Sequence, residues 1–535
     1  MLSDQEQMMI RRSLLADLRG FSLRGGELDK VLTEACQLVG KALSTDLNEV
    51  SEIEKGEEGE CLLVPAGIVG WQPGVIGEVR LPSGARVEMS VGRYRNGWGR
   101  ALVGAGMALS ALFTPAHAQS GAAGKLESEH YRGENGSDGD KPIAVTFNYA
   151  SDLNASVSGG QSRGVVYLGR ASVLLDAELD KLVGLHDATA HLSFYQIHGI
   201  GLSERHVSNL LLVSGLEAEP AIRLNQVWVQ VAPSATTSLR VGKFTAAQEF
   251  MSSKTASLFV NSTFGWPGSF ATDLPSGGSS YPLAAPGARL SVRPNDRTTL
   301  RVATFAGDSA GPGGGDPQRR EKHGFNTFGF AGRPFVIGEI SRSIGGESPA
   351  LTVTLGGWLH FDHVANVGDP TAISGPLVGT PGRGVNFGGY GMVEKRIWQS
   401  ATIKKRTANA FVRVSYSPSD RNVIDIYADG GITLAVPFRG RDGDTVGLAV
   451  GIAHISPRLR STGEILLRSI APSAVPPAFE GVAEVSYQAT LVGPLKVQPN
   501  VQYIVHPASS ALSIQTPEGR VPNALVLSLR SFVSF

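Results

Sequence analysis

Cysteine is almost absent from this chain of 535 residues. There are two, Cys36 and Cys61, and none follows residue 88. The long remainder therefore has no disulfide framework and no thiolate metal site. Net charge is also lacking: 48 Lys and Arg balance 48 Asp and Glu. That balance gives no strong pull toward nucleic acid or anionic surfaces. No apolar run reaches the roughly 20 residues of a membrane-spanning helix.

What is present includes an export signal in an unusual place. After Met89 comes a basic stretch, Arg93, Tyr94, Arg95 and Arg100. An apolar run follows from Ala101 to Phe113, then Ala116-His117-Ala118, a small-x-small cleavage site. Residues 89–118 thus read as a bacterial signal peptide, with cleavage at Ala116–Ala118 and a mature chain from Gln119. A large exported chain without a spanning helix is either periplasmic or an outer-membrane β-barrel.

Most of the exported part alternates with period two, as strands with one apolar face do. Val165, Tyr167, Ala171, Val173 and Leu175 share one face, against Arg170, Ser172 and Asp176. Leu351, Val353, Leu355, Leu359 and Phe361 oppose Thr352, Thr354, Trp358, His360 and Asp362. Lys496, Gln498, Asn500 and Gln502 repeat the polar side near the C-terminus. Sixteen segments are predicted: 142–152, 165–176, 188–198, 223–232, 237–246, 286–294, 297–305, 335–344, 351–363, 386–398, 409–418, 422–434, 444–456, 481–492, 495–507 and 523–535. Their lengths suit tilted spanning strands of about 9–11 residues. Pro294-Asn295-Asp296 and Pro418-Ser419-Asp420 are hairpin signals, and the last segment ends on Phe535. An even count suits a bacterial single-chain barrel, and sixteen strands enclose an aqueous lumen. A soluble sandwich is the alternative on pattern alone. Long Gly- and Pro-rich insertions, 247–285, 306–334 and 364–385, would be extracellular loops or folds into the lumen.

The residues resemble the carbohydrate-selective outer-membrane porins, the OprB family. The words that carry it include Arg163-Gly-Val-Val-Tyr-Leu-Gly169, Leu239-Arg-Val-Gly-Lys243 and Phe259-Val-Asn-Ser-Thr-Phe-Gly265. Others are Tyr281-Pro-Leu-Ala-Ala-Pro-Gly-Ala-Arg289, Phe305–Asp316 and Val497-Gln-Pro-Asn-Val-Gln-Tyr503. They run in family order over about 145–535, with a departure around Gly391–Lys395. The resemblance implies an all-β, sixteen-stranded antiparallel barrel passing glucose and related sugars by diffusion, with no cofactor and no metal. A general porin, or one for other substrates, is the alternative, and a soluble sensory protein is the remote one. Implied partners are sugars, outer-membrane lipid and the barrel assembly machinery, engaged through the strand ending at Phe535.

Parity yields the candidate substrate path: Gln226, Trp228, Arg289, Arg293, Arg301, Glu339, Trp358, His360, Asp362, Arg413 and Asp425. Gln230, Asp429, Glu484 and Arg530 share the inward parity. Guanidinium, carboxylate and amide groups can replace the water bound to a sugar's hydroxyls, and an aromatic ring can stack on its C–H face. Trp358 beside His360 and Asp362 is the most sugar-like cluster. Trp228 and Trp358 read alternatively as interfacial girdle residues.

Enzymatic readings are weak. Gly307-Asp-Ser-Ala-Gly311 matches a hydrolase nucleophile elbow, but Pro312-Gly-Gly-Gly315 follows and cannot open the required helix. Asn135–Asp140 and Gly440–Asp444 have calcium-loop character without the downstream glutamate, and turn chemistry explains them better.

Residues 1–88 are acidic and differ in character. Leu28, Val31, Leu32, Ala35, Leu38, Val39 and Leu43 form a helical stripe, and Gly56–Gly59 reads as a hairpin turn before Cys61. This resembles the first half of a GAF sensory domain. A half-domain buries too little surface to be stable. A start-site or fusion artefact, with the functional start at Met89, is therefore the expectation. The predicted division is 1–88, signal peptide 89–118, linker 119–141 and barrel 142–535.

Overall fold

The period-two segments become strands that pair sideways with their neighbours around a closed barrel, the one way a sheet can cross hydrocarbon. The computed structural model describes residues 142–535, except 314, 327–331, 346–349, 363–383, 437, 439–440, 442, 462–476, 492–493 and 508–520. Of the chain before 142 it describes the backbone at 48–55, 61–69 and 81–82. There, β1 (Asn48–Lys55) pairs antiparallel with β2 (Cys61–Val69), with Lys55 opposite Cys61. This pairing fits the hairpin expected at 56–59. A short β3 (Leu81–Pro82) lies beside β2. The predicted helix over 27–43 and the signal segment, with Ala116, Ala118 and Gln119, lie outside the described residues.

The barrel strands are β4 (Ile143–Ser158), β5 (Gly164–Glu178), β6 (Ala188–Gly199), β7 (Ala221–Ser234), β8 (Thr237–Phe244), β9 (Ala285–Asn295), β10 (Thr298–Phe305) and β11 (Phe335–Ile344). They continue as β12 (Leu351–His360), β13 (Asn386–Gln399), β14 (Thr407–Tyr416), β15 (Ile424–Ala435), β16 (Thr445–Ile455), β17 (Phe479–Thr490), β18 (Lys496–Val505) and β19 (Ala524–Ser534). Each pairs antiparallel with the next, and β19 closes on β4. Phe147 and Phe535 exchange backbone bonds at the seam. All sixteen predicted segments are strands. The first runs to Ser158, beyond its predicted end at 152.

Parity explains which side each residue takes. Val165 is 66% exposed and Leu355 60%, while Arg170, Ser172, Thr354 and Gln502 on the other face are buried inside. Exposed Leu, Val and Ile therefore form the lipid-facing belt. Aromatic girdles flank it. Phe147, Trp398 and Phe535 lie toward one rim; Tyr167, Phe387, Tyr416 and Tyr503 lie toward the other. Trp228 and Trp358 are buried within the wall's inner face, so they are not girdle residues.

Connections alternate in length. Turns such as 235–236, 296–297 and 345–350 sit at one end, and loops 200–220, 245–284 and 306–334 at the other. Short turns mark the periplasmic end and long loops the extracellular one.

Three of these loops fold inward onto the wall, a placement the sequence allowed for its long insertions. Leu202, Leu211, Phe259 and Phe264 pack against Phe411, Tyr427, Ala449 and Val482 of the wall. Phe250, Trp266 and Phe270 pack against Trp228, Phe305, Phe335, Trp358 and Tyr390. Burying each large apolar side chain is worth about 1.5–3 kcal/mol, so apolar loops seek the wall. Inward polar residues then hold the loop backbone. Glu480 accepts from the amides of Leu210 and Leu211 (2.9 and 2.6 Å), and Glu484 from Val260 and Asn261 (2.7 and 2.8 Å). Glu394 accepts from the Thr255 amide (2.9 Å) and the Ser253 hydroxyl.

Loop 306–334 docks beside the free edge of β7, beyond the end of β8. The Leu224 amide donates to the His323 carbonyl (3.1 Å), and Lys243 Nζ donates to Gly324 O (2.7 Å) and pairs with Glu321 (2.6 Å). Gly324 has φ +80°, and a Cβ there would lie 1.9 Å from Leu224 O. Only glycine permits that approach.

Candidate functional site: an arginine–glutamate cluster on the lumen wall

Alternation on four adjacent strands aims Arg240, Arg289, Arg301 and Glu339 at the same part of the interior. Register aligns them: Arg240 lies opposite Arg289, and Arg301 opposite Glu339. Two like charges directly opposed on a sheet repel. Loop 245–284 relieves this by inserting Glu249 between them. Arg240 Nη1 lies 2.7 Å from Glu249 Oε1, and Arg289 Nε 3.2 Å from its Oε2. Gln230 Oε1 accepts from both guanidiniums (3.0 and 2.7 Å). Arg289 also donates to Ser238 Oγ (2.7 Å). Arg301 donates to Glu339 Oε1 (2.9 Å), whose other oxygen accepts from the Met251 amide and Tyr390 Oη, both at 3.1 Å. Gln226 donates to Gln248 of the loop (3.1 Å).

The cluster extends sideways. The Arg240 guanidinium sits 3.7 Å above the Trp228 ring, which stacks on His191, itself 2.7 Å from Asp176. Burial would raise the Glu249 carboxyl's pKa, but Arg240, Arg289 and Arg301 together hold it below the usual carboxylate range. Three arginines against two glutamates leave the cluster with one net positive charge. The Arg301 side chain is 30% exposed, against 7% for Arg240 and 5% for Arg289, so it is the most accessible arginine of the cluster. Such a surface offers fixed donors and acceptors to a polyhydroxylated solute.

The predicted path residues separate into groups. Gln226, Trp228, Arg289, Arg301 and Glu339 come together here. Arg293 does not; it is exposed at the short-turn rim, where it donates to Ala235 O. Trp358 has no open stacking face, because it is buried beside Phe270 and Phe335 (centroids 6.1 and 6.2 Å). His360 Nε2 is taken by Gly307 O (2.8 Å), and Asp362 accepts from the Arg333 amide (3.4 Å), so both hold loop 306–334. Arg413 is wholly buried and bonds Asp429 and the carbonyls of Met251, Thr263, Phe264 and Gly265. A register shift between Ile424 and Ile426 turns Asp425 from the path onto His454 (2.6 Å), which has outward parity. Arg530 pairs with Asp152 (2.8 Å). Parity in Leu239-Arg240-Val241 carried the signal for Arg240. Glu249 and Gln248 lie in a loop without period and had none.

The other motifs resolve as local structure. Ser309 is buried and donates to Gly278 O (2.8 Å), and no helix follows it directly. Asp444 accepts from Arg441 Nε (2.7 Å), the Thr490 amide (3.2 Å) and Tyr487. Among the described residues no group of His, Cys, Asp and Glu is placed to hold a metal.

A closed sixteen-stranded barrel with a lipid-facing belt, infolded loops and a charged wall defines an outer-membrane porin, a diffusion channel. The carbohydrate-selective porin family, OprB, matches over residues 162–535, and the chain belongs to that family. It is accordingly a sugar porin of the Gram-negative outer membrane. The high-pH structure of Pseudomonas putida OprB is similar with a TM-score of 0.64 at 20% identity, covering 78% of this chain and 99% of that one. The low-pH structure of the same protein gives 0.45 at 15%, covering 78% and 99%. The channel DcaP of Acinetobacter baumannii gives 0.42 at 11%, covering 74% and 97%. No curated protein matches.

Proposed function

We propose that sugars pass the barrel along the Arg240, Arg289, Arg301, Glu249 and Glu339 cluster, and that this cluster supplies the selectivity. The supporting observation is the partly exposed Arg301 side chain beside fixed carboxylates, with the wall aromatics covered by loops. Paired donors and acceptors suit vicinal hydroxyls, and binding stays weak enough for release. Lacking an open aromatic track among the described residues, the pore favours monosaccharides over long chains. The protein works as a channel and not as an enzyme. The last strand, through Phe535, is the part the assembly machinery engages, and export begins from Met89 with cleavage before Gln119.

Liposome swelling with glucose, gluconate, maltose and maltotriose tests the reading. Arg301→Ala and Glu249→Ala should each change glucose flux at least several-fold while the barrel stays folded. Unchanged flux in both would overturn the assignment. N-terminal sequencing of the outer-membrane form should begin at Gln119; finding Met1 would sink the export reading.

A further inference from the structure

The outward face of the barrel is apolar except at a few places, and one of these is strongly basic. Along β11, outward parity runs through Ile340 and Ile344 and puts Arg342 on the lipid side. Along β13 it runs through Val393 and Ile397 and puts Lys395 there. Both residues are exposed. Register places them close together: Arg342 faces Val353, which faces Val393, while Ile344 faces Leu351, which faces Lys395. The two Cα atoms are therefore two strands and two residues apart, or ~12 Å. Side chains of that length can converge on one group.

A second feature frames the pair. The register shift between Arg396 and Trp398 sets Trp398 opposite Ala408, on the outward parity of β14. Trp398 and Ile397 are both 48% exposed. The adjoining turn 400–406 carries exposed Lys404 and Lys405. All of this lies at the short-turn rim, where β11 and β13 end. Among the described residues, Arg342, Lys395, Lys404 and Lys405 form no ion pair; the neighbouring Glu339 and Glu394 take the inward parity, where Glu339 pairs with Arg301 and Glu394 accepts from the Thr255 amide, and Glu347 is the other acid nearby in sequence. Several other rim cations are paired: Arg319 with Glu219, Arg320 with Asp308 and Arg421 with Asp420 at the long-loop end, and Arg441 with Asp444 at the short-turn end.

We propose that Arg342, Lys395, Lys404 and Lys405, framed by Trp398, form a binding site for the phosphate headgroup of an anionic phospholipid in the periplasmic leaflet. Charge complementarity selects the occupant. Cations at the edge of an apolar belt snorkel to the phosphate level, and an indole anchors at that interface. The acyl chains would lie along exposed Ile340, Val353 and Val393.

The test is native mass spectrometry of the full chain, purified in detergent and given either phosphatidylglycerol or phosphatidylcholine. Wild type should retain phosphatidylglycerol preferentially. Each cation near an anionic headgroup is worth about fivefold, so Arg342→Gln with Lys395→Gln should weaken retention roughly 25-fold. Lys181→Gln with Lys322→Gln removes the same charge elsewhere and should leave retention unchanged. Heat-modifiable gel migration checks that each variant is folded. Equal retention of both lipids, equal loss in the control pair, or no loss in the double variant would overturn the proposal. A second copy of the chain occupying this face would overturn it too, and would appear as a dimer mass.

Discussion

Arg413→Met is the most direct test of how the lumen is narrowed. Arg413 has no solvent exposure and is the cation that binds the carbonyls of Thr263, Phe264 and Gly265, the stretch of loop 245–284 between its two aromatic clusters. Met fills similar volume but donates nothing. It leaves Asp429 buried with only the Tyr427 hydroxyl (2.8 Å) as a remaining partner. Breaking one side of a buried pair costs about 3–5 kcal/mol. At 1.4 kcal/mol per decade, that shifts the docked–undocked equilibrium of this segment by roughly 10²–10⁴-fold. The barrel ladder carries none of this, since every strand keeps its neighbours. Segment 253–261 also stays pinned by Glu394 and Glu484. The expected result is a folded, heat-modifiable barrel with higher and noisier single-channel conductance and weaker glucose block. Adding Asp429→Leu removes the stranded carboxylate and should restore quiet conductance in part, because replacing a buried pair by apolar residues is often near neutral. If Arg413→Met conducts and is blocked like wild type, the loop is not held as argued.

Glu249→Gln removes the negative charge lying between the three arginines, so reversal potentials in a salt gradient should move toward anion preference. Trp358→Ala should cost about 3–5 kcal/mol through the cavity left in the aromatic cluster, lowering the thermal midpoint. It should alter sugar block less than Arg301→Ala, measured by glucose titration of the single-channel current. Asp273, on α1 (Gly268–Asp273), accepts the amides of Val423 and Ile424 (3.0 and 3.1 Å), and burial pushes its carboxyl well above the usual carboxylate range. A raised pKa means the folded form holds the proton more tightly. Its stabilising effect is therefore complete at low pH and fades as pH rises through the raised value. Exchange protection of those two amides, corrected for intrinsic rates, should be higher at pH 5 than at pH 8. In Asp273→Asn that difference should vanish.

Much of the architecture was legible in the order of residues. The sixteen strands, most of their bounds to within a few residues and the side most residues face follow from period two, because neighbouring side chains in a strand must point to opposite faces. The first strand, which runs to Ser158, and Asp425, displaced by a register shift, are exceptions. Inward parity found Arg289, Arg301 and Glu339. It also found Arg413 and Trp358, whose inward direction is as expected. Direction did not reveal what each would meet. Loops 200–220, 245–284 and 306–334 have no period, and their contacts with the wall join residues up to 289 positions apart, such as Glu394 with Thr255 and Gln502 with Val213. Folding inward, they covered Trp358 and Arg413 and left Arg301 open. They also brought Glu249 between two arginines that alternation had set against each other. Which inward side chains stay accessible was thus decided by loop packing in three dimensions, while the strands that carry them were already written in the alternation of apolar and polar residues.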